Sequence, residues 1–227
     1  MGAEEPGLAR LLAALGAPRR RQVFTHSSWA PRREASYERL EFLGDSVLQV
    51  VVSEDLMRRH PGVDEGDLSW MRQSVVARDA CARVAVAAGL PEALVAAAPA
   101  PRREAARSLA ERASVRAALV EAVIGAAWLD LGPVATAPAV LEAFAPILDA
   151  AVPGARDPKT ALQEEAARRR LEVSYELADT QGPPERRTFT SRVLVGGRAM
   201  GRGAGSSKQA SEAAAAAEAL DALRGEG

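Results

Sequence analysis

Four carboxylates stand at spacings that can do chemistry. Glu38, Glu41 and Asp45 lie in "YERLEFLGDSVLQVVV" (37–52), and Glu121 lies in "ALVEAVIGAAW". On a helix at about 100° per residue the first three fall within roughly 60° of one another. Leu40, Leu43, Val47, Val50 and Val51 are expected on the other side. Like charges at spacings of three and four repel by a few tenths of a kcal/mol per pair, roughly. A bound cation turns that repulsion into attraction. An all-oxygen donor set suits Mg²⁺ or Mn²⁺ rather than zinc, and carboxylate-held Mg²⁺ is a common device for phosphodiester cleavage.

Two helices must carry these groups. Gly44 precedes Asp45 in the first, and a helix-interior glycine costs about 1 kcal/mol relative to alanine, so close helix approach is its expected reason. Around Glu121 the second helix presents Ala117, Ala118 and Gly125. Packed through these small residues, the helices bring Glu121 to the Glu41/Asp45 stripe.

The wider chain has 227 residues, 48% hydrophobic but only 4% aromatic, so its core rests on Ala, Val and Leu. A formal net charge of −1 favours no partner class, which leaves local charge to decide. The single cysteine, Cys81, has no partner for an internal disulfide and is expected to be a small core residue. Low cysteine use fits a reducing cytoplasm. No signal peptide is apparent, and "LVEAVIGAAWLDLG" is too short for a bilayer, so no membrane association is expected.

Residues 1–150 read as helical almost throughout, with breakers at 60–67, 89–93, 98–103 and 131–133. Asp67 is the expected N-cap of the helix that follows. Residues 151–157, rich in Pro and Gly, form a linker. Residues 158–227 read α-β-β-β-α, the first helix opened by Asp157 and Pro158 and two strands joined at Gly196-Gly197. The expected fold is therefore an all-α domain followed by a small α+β domain.

The stretch "YERLEFLGDSVLQ" resembles the N-E-R-L-E-F-L-G-D-S-V-L signature of bacterial ribonuclease III. Three further stretches agree: "FTHSSW" (24–29), "EGDLSWMRQSVV" (65–76) and "EAVIGAAWLD" (121–130). The C-terminal unit resembles a double-stranded-RNA-binding domain. This resemblance implies a homodimeric, Mg²⁺-dependent endonuclease, with Mn²⁺ as possible substitute. It acts on structured RNA such as ribosomal RNA precursors, leaves 5′-phosphate and 3′-hydroxyl ends, and takes no small-molecule substrate. Carried over, Glu41, Asp45 and Glu121 match metal ligands, while Glu38 and Glu65 match acidic residues of the catalytic valley. Phe42 is positioned to reach across a dimer interface; His26 is left without a role.

The match breaks at one ligand. The family's L-A-D-x-x-E-A is here "AALVEA", so Ala118 stands where an aspartate is expected. Glu111 lies about 10 Å along the axis from that position and Asp130 more than two turns beyond it. The alternative reading is thus a catalytically impaired dimer that still binds double-stranded RNA. In the C-terminal domain, Thr160, Gln163 and Glu164 match the helix that meets one RNA minor groove. The loop for a second groove is "GPPERRTF", with Arg186 and Arg187, and the last helix opens with Ser206, Ser207 and Lys208, a natural phosphate seat. Recognition of this kind follows A-form shape and 2′-hydroxyls rather than sequence.

Overall fold

The computed structural model describes residues 7–153, 157–183 and 187–225. The chain forms two compact units, Met1–Gly154 and Ala155–Gly227.

The first unit is helical: α1 Gly7–Ala14, α2 Ala17–Val23, α3 Glu38–Arg59, α4 Glu65–Val75, α5 Arg78–Ala87, α6 Leu90–Ala97, α7 Arg103–Ala110, α8 Ala113–Leu131 and α9 Pro133–Ala150. Helix α8 is apolar around nearly its whole circumference, and that pattern belongs in a core. Residues 117–120 and 122–127 are all buried. Gly132, at φ +79°, ends α8 and lets Pro133 open α9 at the first helical position. By length and hydropathy α9 could cross a membrane, yet Ala139, Val140, Phe144 and Leu148 bury one face of it in the core of this unit.

Helices α3 and α8 approach at two glycines. A Cβ on Gly44 would collide with the Glu121 carbonyl, and one on Gly125 with the Leu40 carbonyl. No other residue fits either position without parting the helices. Helix α5 covers α8 with Cys81, Ala82, Val84 and Ala85, all buried.

Two expectations are corrected here. Asp64, not Asp67, caps α4: its side chain accepts from the Asp67 N–H at 2.9 Å, and the helix starts at Glu65. An N-cap side chain serves the third N–H of the helix it opens, which makes Asp67 the donor. Val50 is 61% exposed, so it leaves the apolar side of α3 where it was expected. Leu40, Val47, Leu48, Val51, Val52 and Leu56 turn inward.

In the second unit, α10 Pro158–Arg168 precedes the antiparallel sheet β1 Val173–Gln181, β2 Thr188–Val195 and β3 Arg198–Gly205, in the order β1-β2-β3, and α11 Lys208–Gly225 follows. Asp157 caps α10 through the Lys159 N–H. Gly196 and Gly197, at φ +57° and +78°, make the two-residue hairpin turn, which needs positive φ at both positions. The core joins Leu162 and Ala166 of α10, Val193 and Val195 of β2, and Ala215, Ala219 and Leu223 of α11. Gly201 and Gly203 of β3 lie directly against α11, where a Cβ would meet the backbone of Ala215.

Candidate active site

The α3–α8 contact puts Glu121 beside the first turns of α3. Glu41, Asp45 and Glu121 are all partly buried and act on one another electrostatically. Burial pushes the Glu41 carboxyl above the usual range, and the charges of Glu38 and Asp45 push it further. Burial, followed by Asp45 and Glu41, raises Glu121 to about 7, with only Arg78 opposing. A protein has little structural use for three repelling, half-desolvated carboxylates, since burying a charge without a partner is costly. A divalent cation removes both penalties. The donor set is all oxygen and fits Mg²⁺ or Mn²⁺ in kind. Among the described residues, no three His, Cys, Asp or Glu side chains already stand at metal-holding spacing. The fit is therefore one of charge and donor type, without a preformed cage.

Glu38 sits one turn before Glu41 with different surroundings. The Arg33 guanidinium, donating from Nε at 3.1 Å, holds its carboxyl below the usual range, helped by Ser27. Glu65 stands apart from the other four: it is exposed at the start of α4, accepts from Ser69 at 2.7 Å, and is not among the groups acting on Glu41 or Glu121. Ala118 is buried one turn before Glu121. Neither distant acid replaces the missing carboxylate. Glu111 lies before α8 begins, at the end of α7, and Asp130 is engaged by Arg19 at 3.0 Å.

Several neighbours of the site escaped sequence reasoning. Gln49 donates to Asp45 at 2.9 Å and fixes that carboxylate from the next turn of α3. Its i+4 spacing was the signal. Arg78 and Cys81 arrive from α5, and only the tertiary fold brings them in. Burial raises the Cys81 thiol to about 12, with Glu121 and Asp45 adding to the shift.

In the second unit, Thr160, Gln163 and Glu164 are exposed, at spacings that share one face of α10. Arg187, Ser206, Ser207 and Lys208 are exposed as well. Ser207 caps α11 by accepting from the Ala210 N–H at 3.1 Å. Arg186 lies outside the described residues.

Comparison with known proteins accounts for both units. The Ribonuclease-III-like family matches residues 20–147, and the double-stranded RNA binding motif matches residues 158–223. Ribonuclease 3 of Nocardia farcinica is 40% identical, over 96% of this chain and 94% of that protein. Ribonuclease 3 of Caldanaerobacter subterraneus is 38% identical, over 89% and 90% respectively. The crystal structure of the ribonuclease III nuclease domain from Campylobacter jejuni superposes with a TM-score of 0.51 at 26% identity, covering 63% of this chain and 95% of that one. A helical nuclease unit, a following RNA-binding unit and relatives aligned over nearly full length all point the same way: the chain belongs to the ribonuclease III family and is an endoribonuclease with a double-stranded-RNA-binding domain.

Proposed function

We propose that the chain hydrolyses double-stranded RNA with a divalent cation, Mg²⁺ or Mn²⁺, held by Glu41, Asp45 and Glu121, leaving 5′-phosphate and 3′-hydroxyl ends. The observation that carries this reading is three partly buried carboxylates within electrostatic reach of one another: burial raises Glu41 and Glu121, and the neighbouring carboxylates raise them further. The bound ion supplies an activated water and neutralises charge that develops on the phosphate. Gly44 and Gly125 set the distance between the two helices that carry the ligands, and Gln49 fixes Asp45. Glu38, kept ionised by Arg33, lines the mouth of the valley. Glu65 takes part in guiding the scissile strand from its separate place on α4.

The RNA-binding unit supplies the grip. The exposed α10 face of Thr160, Gln163 and Glu164 meets one minor groove, and the loop with Arg186 and Arg187 meets the next. Ser206, Ser207 and Lys208 at the start of α11 take the intervening phosphates. Work on ribosomal RNA precursors and other structured transcripts in the cytoplasm follows from this substrate class.

The chain acts as a homodimer in this reading. Phe42 is 80% exposed and Leu129 56% exposed, and both line a cleft of about 630 Å³ with Leu40, Leu43, Arg39 and Glu38. An exposed aromatic at the edge of a cleft with both apolar and charged walls can meet the same surface of a second copy across a two-fold axis. Because Glu38 lines the same cleft, pairing also shapes the valley.

Ala118 favours a second reading, in which cleavage is weak and duplex binding is the main activity. One assay separates the two. A long RNA duplex is incubated with the protein, with and without Mg²⁺ or Mn²⁺, beside Glu121→Gln. Cleavage by the wild type, lost in a variant that folds and still shifts the duplex, supports the metal-site reading. A wild type that only shifts the duplex supports the second, and cleavage by Glu121→Gln moves the site elsewhere.

A further inference from the structure

Glu212 is an acid on a surface where a polyanion calls for bases. It lies on α11 one turn after Lys208, and its side chain is only 14% exposed. Its two oxygens face two ammonium groups. Oε2 accepts from Lys159 Nζ at 2.5 Å, and Oε1 stands 3.9 Å from Lys208 Nζ. Lys159 belongs to the first turn of α10, and its ammonium also sits 4.6 Å from the ring centroid of Tyr175 on β1. One carboxylate thus joins α10 to α11, with β1 beneath the join.

The join falls between two groups of proposed RNA contacts. Thr160 follows Lys159 directly, and its hydroxyl donates to the Asp157 carboxylate at 3.1 Å. The Lys159 N–H donates to the same carboxylate at 3.3 Å, so the first turn of α10 is one cross-linked piece. Lys208 and the Ser207 cap open α11 one turn before Glu212. The apolar core takes Leu162 and Ala166 from α10 and Ala215 and Ala219 from α11, all further along their helices. Helix ends fray where little holds them, and the ion pair is the tie between these two ends. Both partners are largely buried, at 29% and 14% exposure, so salt screens the pair less than a surface bridge. Removing one partner leaves the other's charge unmatched.

From this geometry we infer that Glu212 is a positioning residue for duplex RNA: by holding Lys159 it fixes the Thr160 turn of α10 relative to the Lys208 turn of α11. The inference rests on the RNA contacts proposed for those two turns. Lys159 is then a tie and not a phosphate contact, because its ammonium is already shared between a carboxylate and a ring. Lys208 is 65% exposed and keeps its ammonium open to a phosphate. Simple charge counting predicts the opposite on both points. Removing an acid from a face that meets a polyanion should strengthen binding, and removing a phosphate-contacting cation should lower the salt slope by about one.

The test uses the full chain and a long RNA duplex without divalent metal, so that binding is read apart from cleavage. Affinity is measured across a salt series for the wild type, Glu212→Gln, Lys159→Met, Lys159→Arg and the double variant Lys159→Met/Glu212→Gln, with thermal unfolding as the check on folding. Glu212→Gln should weaken binding by about 5-fold or more. Lys159→Met should weaken it similarly with the slope of log affinity against log salt unchanged. Lys159→Arg keeps the charge, can reach the carboxylate and can lie over the ring, so it should bind nearly as the wild type does. The double variant should be no worse than the weaker single variant, because both act through one pair. Should Glu212→Gln not fold, Lys159→Met and Lys159→Arg decide the matter by the same criteria. A folded Glu212→Gln that binds as tightly as the wild type, or more tightly, overturns the inference. So does a slope lowered by about one in Lys159→Met, an arginine variant as impaired as methionine, or multiplicative losses in the double variant. Lys208→Ala, run in parallel, checks the underlying reading separately: it should weaken binding and lower the slope by about one.

Discussion

Glycines bring a helix close to its neighbour in both units of this chain, and the two units use the approach in opposite ways. At the α3–α8 contact, Gly44 and Gly125 draw together helices that carry like charges, and the carboxylates end up half-buried. In the RNA-binding unit, Gly201 and Gly203 draw α11 onto β3 over an apolar core of Ala215 and Ala219, while Arg187 and Lys208 stay at the surface. The first arrangement concentrates charge where water screens it poorly, which suits a tightly held ion. The second spreads charge where salt screens it readily, which suits reversible contact with a polyanion. Chemistry and grip therefore have different electrostatic signatures, and each can be tested alone.

The largest effects should come from breaking either close approach. Gly44→Ala drives a Cβ into the Glu121 carbonyl, and Gly203→Ala drives one into the backbone of Ala215 and Ser211. Overpacking of this kind costs about 1–3 kcal/mol and occasionally more. Gly44→Ala should remove cleavage and leave duplex binding, and Gly203→Ala should weaken duplex binding while the nuclease unit stays folded. Unfolding monitored by two probes, with a gel shift and a cleavage assay, checks both. Loss of both activities in either variant would show that the units depend on each other.

A smaller effect should sharpen the electrostatic half. Ala118→Asp adds a fourth carboxylate one turn before Glu121, and the Mg²⁺ concentration for half-maximal cleavage should fall by about 10–100-fold. The wild type should be demanding of metal and should favour Mn²⁺. A metal titration in which the two proteins coincide at low Mg²⁺ would mean another group already completes the site. The smallest effect belongs to the exposed charges. Neutralising Arg187 and Lys208 together should lower the slope of log affinity against log salt by about two at most. An unchanged slope would place the RNA contacts on another face.

Local pattern carried most of the fold and one half of the site. The periodicity of α3 and α8, the Asp157-Pro158 helix start and the Gly196-Gly197 turn are all short-range signals, and each appears where the chain suggested it. The close packing at Gly44 was legible because a glycine inside an apolar helix is unfavourable without a neighbour. Asp64 and Asp67 sit three apart, and either reads as a cap until the first turn is fixed. Val50 and Phe42 are apolar yet exposed, and periodicity, which separates the faces of a helix, cannot tell a core-facing one from an exposed one. Arg78 and Cys81 lie far along the chain from Glu121, and no local signal links them to it.

Cys81 gives that last contact a practical meaning. It is the one thiol in the chain, fully buried, and it lies on α5 within electrostatic reach of Asp45 and Glu121. Only a thiolate reacts with an alkylating reagent, and a thiol raised to about 12 in a closed interior is inert at neutral pH. Modification must therefore await a local opening that wets the wall behind the carboxylates. The rate of labelling at this single atom reports how often the nuclease unit opens beside Asp45 and Glu121.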